Sequence, residues 1–125
     1  MENKHYPILV VDDETIIRLF AVAVLRSEFD MDVLQAGTVD DAVRLACEHR
    51  PPFVLMDIHL NEERTGIDAA REILKYYQPK IFIVSAYDAD DFIAPGDRET
   101  FSGFYSKPIS KGDLVAILSD YAAAT

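Results

Sequence analysis

Phe53-Val54-Leu55-Met56-Asp57 is a short apolar run closed by one carboxylate, and its reading decides the fold. A continuous run of this length and composition reads as a strand buried on both faces. Ile8-Leu9-Val10-Val11 repeats the pattern and stops at Asp12-Asp13-Glu14. Lys80-Ile81-Phe82-Ile83-Val84 stops at Ser85-Ala86, and Gly103-Phe104-Tyr105-Ser106 stops at Lys107-Pro108. In an open parallel sheet the carboxyl ends of the strands share one edge, and ligands bind there. An acid, an acid pair, a hydroxyl and a lysine are therefore expected to converge. Such a group suits acceptance of a phosphoryl group.

Longer stretches with helical spacing lie between the runs. From Glu14 to Glu28, residues Ile17, Phe20, Ala21, Val24 and Leu25 recur on one helical face. Val39, Ala42, Val43 and Ala46 do the same from 39 to 49, with Thr38 as N-cap, Asp41 as a weaker capping-box partner, and Pro51-Pro52 as the stop. Ile67, Ala70, Ile73 and Leu74 mark a third helix that ends before Pro79. Ser110 and Asp113 open the last, with Leu114, Ile117, Leu118 and Tyr121 on its face. Asp32 to Ala36 adds a short strand. The expected fold is α/β, a doubly wound five-stranded parallel sheet with helices on both faces and right-handed crossovers. Between Tyr87 and Gly103, a helix starting at Asp88 to Ala94 should be stopped by Pro95-Gly96. A short helix, or a helix and a loop, with elevated mobility is expected there.

Twenty-two acids against twelve bases give a net charge of −10, which argues against direct nucleic-acid binding. The lone Cys47 cannot form an internal disulfide. No stretch approaches the roughly 18 to 20 apolar residues that cross a bilayer, so no membrane partner is expected. The polar start Met1-Glu2-Asn3-Lys4-His5 does not resemble a secretory signal, and a cytoplasmic location is expected. The tail stops soon after the last helix, so a single domain over 1–125 without an output domain is expected.

Two carboxylates about 4 Å apart repel by roughly 4 kcal/mol at an effective dielectric near 20. Asp12 and Asp13, joined by Asp57, would be relieved by a hard divalent cation, and Mg²⁺ takes one or two carboxylates with waters and phosphate oxygens. The other reading of Asp12-Asp13-Glu14 is a helix cap placed to suit the dipole. The tripeptide alone favours the cap, and Asp57 at a parallel strand end tips the balance to the metal. Asp57 is the candidate nucleophile, able to form an acyl phosphate. Lys107 and the cation would offset charge on the moving phosphoryl oxygens. The X-Pro step holds Lys107 extended, although a surface lysine at a loop entrance is the commoner case. Ser85 is either a turn serine or a donor to a phosphoryl oxygen. His59 is a loop histidine whose backbone carbonyl, more than its ring, suits the cation. His5 and His49 show no ligand spacing, and Arg64, Arg71 and Arg98 read as solvated surface.

These four motifs, in order and at this spacing, resemble the receiver domain of two-component response regulators. The resemblance runs from about Tyr6 to Tyr121. It implies a flavodoxin-like (βα)5 receiver fold with strand order 2-1-3-4-5. It implies that Asp57 is the phosphoacceptor for a histidine kinase or histidine phosphotransfer protein. Asp12, Asp13, Asp57 and the His59 backbone carbonyl would hold Mg²⁺. Lys107 would pair with the phosphoryl group, Ser85 would be the switch hydroxyl and Phe104 the switch aromatic. His59 and Tyr87 would border the path of the hydrolytic water, where a bulky Tyr87 would shield the acyl phosphate. The chain would act on itself alone, catalysing its own phosphorylation and dephosphorylation, and would not be an enzyme in the wider sense. An unknown downstream protein, and a homodimer, are the implied further partners. Three features depart from the usual pattern. The polar path from Leu60 to Gly66 is longer, the switch aromatic is Phe rather than Tyr, and Pro95-Gly96 interrupts the fourth helix. Two rival classes share these residues. An aspartate-based phosphohydrolase would need an acid where His59 stands, and a receiver-like scaffold would work without phosphorylation.

Overall fold

The computed structural model describes residues 7–86 and 93–124, with side chains through residue 119. Its strands are β1 (Ile8–Val11), β2 (Val33–Ala36), β3 (Phe53–Asp57), β4 (Lys80–Ser85) and β5 (Gly103–Ser106). Its helices are α1 (Thr15–Phe29), α2 (Val39–His49), α3 (Gly66–Ile73), α4 (Asp97–Thr100) and α5 (Lys111–Ala124). All strand pairs are parallel, in the order β2-β1-β3-β4-β5. The continuous apolar runs are the central strands, and every residue of β1 and β3 is buried. Alternation splits them between two cores. Leu9, Val11, Val54, Met56, Ile81 and Ile83 meet α2 and α3 on one face. Ile8, Val10, Phe53, Leu55, Phe82 and Val84 meet α1 and α5 on the other.

Strands β3 and β4 run further than their apolar stretches, and this places Asp57 and Ser85 inside the ladder, with Asp57 opposite Val84. The inward face of α1 differs from the periodicity reading. Ala21, Val22 and Leu25 are buried, whereas Phe20 is 48% exposed and Ile17 and Val24 are half-buried. The helix turns its smaller residues to the sheet, leaving Ile16, Leu19 and Phe20 outside.

Thr38 caps α2 through the Asp41 amide at 3.1 Å, but the Asp41 carboxylate turns to Arg44 and does not close the box. Glu62, from the loop after β3, instead accepts the Val39 amide at 3.1 Å. The full box that sequence reading overlooked is at α3, between Thr65 and Asp68. Ser110 and Asp113 bond reciprocally at the start of α5, as their spacing suggests. Pro95-Gly96 does not stop a helix within the described residues; it starts one. Gly96, at φ 94°, is the N-cap of α4, because glycine alone adopts that backbone without strain. Asp97 then holds the turn by accepting the Ala94 amide at 2.7 Å and pairing with Arg71 of α3 at 2.6 Å. Residues 88 to 92 of the expected helix, and its expected mobility, lie outside the described residues.

Gly66 decides how closely α3 approaches the end of β3. Its amide bonds the Ile58 carbonyl at 2.7 Å, and a Cβ there would overlap the Asp57 carbonyl oxygen. Gly66→Ala is therefore expected to destabilise the fold by about 3 kcal/mol, the upper end of overpacking costs. Urea unfolding of the variant checks this, and an unchanged midpoint would refute the close approach.

Candidate functional site

The carboxyl ends of β1, β3 and β5 meet as the topology requires. One carboxylate oxygen from each of Asp12, Asp13 and Asp57 lies within 4.8 Å of the others. Asp12 and Asp57 are buried and Asp13 is half-buried. Lys107 is drawn into the same group. Its Nζ stands 2.8 Å from Asp57 Oδ2, 2.9 Å from Asp12 Oδ2 and 3.5 Å from Glu14 Oε1. With a side chain only 8% exposed, this is not a surface lysine at a loop entrance. Its amide donates to the Ser85 carbonyl at 2.8 Å, and the Lys107–Pro108 bond is cis.

The second oxygens of Asp12 and Asp57 accept local amides. Asp12 Oδ1 accepts the Glu14 amide at 2.9 Å, and Asp57 Oδ1 accepts the His59 amide at 3.3 Å. Glu14 occupies the N-cap position of α1 without a side-chain capping bond, so its carboxylate serves the lysine and not the helix. Arg18 enters from α1 and donates from Nη1 to the Asp12 carbonyl at 2.7 Å. Sequence reading overlooked this arginine; an arginine one turn into the helix after an acid pair is the signal that it was available.

Burial pushes the Asp57 carboxyl up to about 6 from 3.8; Asp12 adds to the rise, while the Lys107 and His59 bonds oppose it. Burial works to lower the Lys107 ammonium, but its bonds to Asp57 and Asp12 prevail and hold it above its ordinary value. Both shifts describe buried acids crowded around the Lys107 ammonium. Three carboxylates are hard oxygen donors at the separation a hard divalent cation needs, so the residues present fit Mg²⁺.

An open depression beside Asp57 is bordered by Asp13, Glu14, His59, Thr65, Ala86 and Lys107. Ser85 is buried one residue past the position opposite Asp57, in the adjoining strand. Phe104 lies on β5 opposite Ile83 and is half-buried. Its ring meets Phe101 edge-on at 6.2 Å, with the Arg98 guanidinium 5.2 Å from its centre. Arg64, Arg71 and Arg98 are all exposed, as the solvated-surface reading expects, with Arg64 paired to Asp40 and Arg71 to Asp97. Tyr87 lies outside the described residues.

The profile of the response regulator receiver domain matches residues 8–119. The chain belongs to this family. The receiver domain is 33% identical over 108 residues to the transcriptional regulatory protein PdtaR of Mycobacterium tuberculosis, covering 86% of this chain and 52% of PdtaR. It is 28% identical over 113 residues to the phyllosphere-induced regulator PhyR of Methylorubrum extorquens, covering 90% of this chain and 42% of PhyR. The chain thus spans about half the length of these relatives. Among solved structures, it is similar to the PhyR receiver domain of Erythrobacter litoralis (TM-score 0.79, 26% identity, 93% of this chain and 88% of that one). A CheY-like receiver from Methanospirillum hungatei shares the fold (TM-score 0.80, 20% identity, 94% of each chain). Among the described residues of the receiver domain, no helix is long and apolar enough to cross a membrane.

Proposed function

We propose that this receiver domain accepts a phosphoryl group on Asp57 from a histidine kinase or histidine phosphotransfer protein. The observation that carries the reading is the Lys107 ammonium lodged between the buried carboxylates of Asp57 and Asp12. An Asp57 oxygen attacks phosphorus, the bond from phosphorus to the donor imidazole breaks, and the imidazole leaves with its electron pair. The product is an acyl phosphate, which water later hydrolyses. Mg²⁺, held by Asp12, Asp13, Asp57 and the His59 backbone carbonyl, would supply charge neutralisation for the phosphoryl oxygens.

Lys107 performs the complementary task on the protein side. Its ammonium, beside Asp57 Oδ2, loses part of that attraction when the carboxylate becomes a mixed anhydride, and pairs instead with the phosphoryl oxygens. The Ser85 hydroxyl donates to one of these oxygens. Phe104 then fills the space that Ser85 vacates and leaves its perch between Phe101 and Arg98. The event is local in charge and biases a two-state surface around α4, β5 and α5. A protein partner that reads this surface is the proposed downstream target. Two features support the receiver chemistry over an aspartate-based phosphohydrolase: His59 stands where that mechanism needs an acid, and its amide is directed to Asp57.

Incubation with acetyl phosphate tests the reading. With Mg²⁺ the chain is expected to take one phosphoryl group, located by mass spectrometry to the peptide holding Asp57, and to take none with EDTA. Repeated turnover of p-nitrophenyl phosphate would favour the hydrolase instead. Absence of uptake under all conditions would favour the unphosphorylated scaffold.

A further inference from the structure

We propose that Arg18 is a positioning residue for the cation site, holding the turn between β1 and α1 that presents Asp12 and Asp13. The inference rests on the Mg²⁺-dependent reading above. Strand β1 ends at Val11, and the chain must leave the ladder at once to bring consecutive acids to one place. Asp12 still keeps its amide on the Ala36 carbonyl at 3.0 Å. Its carbonyl lies beyond the last ladder pair, on a buried residue, and needs a donor from elsewhere. Arg18 Nη1 supplies it at 2.7 Å, and Nε of the same guanidinium donates to Gln35 Oε1 at 3.1 Å. Gln35 sits on β2 opposite Val10. The planar fork therefore joins α1, the acid turn and the neighbouring strand through one rigid group.

The choice of partners is informative. The chain holds 22 acids, three of them clustered beside this turn. Yet the hydrogen bonds of Arg18 go to a carbonyl and an amide oxygen, both neutral. The guanidinium braces the main chain of the turn and a neutral side chain on β2, and neither bond is to a carboxylate. This distinction fixes the sign of the expected change. Removing a positive charge beside three carboxylates would, through charge alone, tighten Mg²⁺ binding. Releasing the Asp12 carbonyl lets the turn relax and spreads the donors, which weakens binding. Support of a ligand from its outer shell is commonly worth about tenfold or more in metal affinity.

Mg²⁺ titration by calorimetry, with thermal melts as a check on folding, compares the parent with Arg18→Met, Arg18→Lys and Gln35→Leu. Arg18→Met is expected to weaken Mg²⁺ binding about tenfold. Arg18→Lys, which keeps a donor for the carbonyl but loses the fork, is expected to recover part of that loss. Gln35→Leu leaves every charge in place and is expected to weaken binding about threefold, a smaller share of the same outer-shell effect. If Arg18→Met does not fold, Arg18→Lys and Gln35→Leu decide between brace and charge. A parent that binds Mg²⁺ while the folded variants bind as tightly or more tightly overturns the brace alone. A parent that takes up no Mg²⁺ overturns the functional reading and the brace with it.

Discussion

Asp57→Asn is expected to abolish labelling by acetyl phosphate and Mg²⁺ while leaving the protein folded and, in EDTA, more stable. The first half follows from chemistry. An amide oxygen is a poor nucleophile, and the other clustered carboxylates are placed otherwise. Asp12 is tied to the Glu14 amide and the lysine, and Asp13 is less buried than Asp57. Label that persists on Asp12 or Asp13 would overturn the assignment of the acceptor. The second half follows from burial. The Asp57 carboxyl titrates near 6 in the folded protein against 3.8 unfolded, chiefly because burial disfavours its charge. Between those values the folded state binds more protons than the unfolded one, so stability falls as pH rises through the window. At about 1.4 kcal/mol per pH unit, the loss by pH 7 is on the order of 3 kcal/mol. Asparagine removes the ionisation, so a gain of about 1–3 kcal/mol in urea unfolding at pH 7 is expected. The advantage should shrink as pH is lowered toward 4. A variant less stable than the parent at pH 7 would mean that Asp57 is better solvated than its 3% exposure implies.

Lys107→Met is expected to have the larger cost in stability. Its ammonium is the cation within 3 Å of both buried acids, Asp57 at 2.8 Å and Asp12 at 2.9 Å. Removing one partner from a buried ionic group strands the others and costs about 3–5 kcal/mol. Metal-free protein at neutral pH is the condition in which the loss is greatest. Mg²⁺ should then stabilise the variant, since an ion bound to the folded state alone at a hundred times its dissociation constant adds about 2.7 kcal/mol. Linkage sets the alkaline behaviour. The folded ammonium is held above its ordinary 10.5, so its contribution is complete below that value and is lost as pH rises beyond it toward the folded one. The parent and the variant should therefore converge at high pH. A loss under 1 kcal/mol in EDTA would show that the ammonium is not the counterion of the buried pair. Combined with Asp57→Asn, the loss should be smaller than the sum of the two effects, because the two side chains share one interaction.

Residue type and order alone carried the fold. Short apolar runs alternating with helical stretches read as central parallel strands, and that topology brings their carboxyl ends to one edge. Asp57, Asp12 and Asp13 were legible for this reason, since they close buried runs, and Lys107 because it closes the half-buried strand β5 at the same edge. Periodicity was less decisive for α1. Its apolar residues occupy more than one face, and nothing local says whether Phe20 or Val22 turns inward; packing on Val10 and Leu55 decides that. The Pro95-Gly96 step is ambiguous in sequence because a Pro-Gly pair can stop one helix or start the next. Among the described residues the pair starts a helix, and Asp97, tied to Arg71 of α3, holds its first turn.

The amino-acid sequence by itself determined the sheet and the order of acid, hydroxyl and lysine along it, and so which residues end at one edge. Tertiary structure alone decided which charges touch. Lys107 is fifty residues from Asp57, and Arg18 reaches Asp12 through a helix turn and Gln35 through a neighbouring strand. Those pairings depend on how far each strand runs and how closely each helix lies. Volume and hydrogen-bond geometry set both, summed over the whole core, and no single segment contains that information.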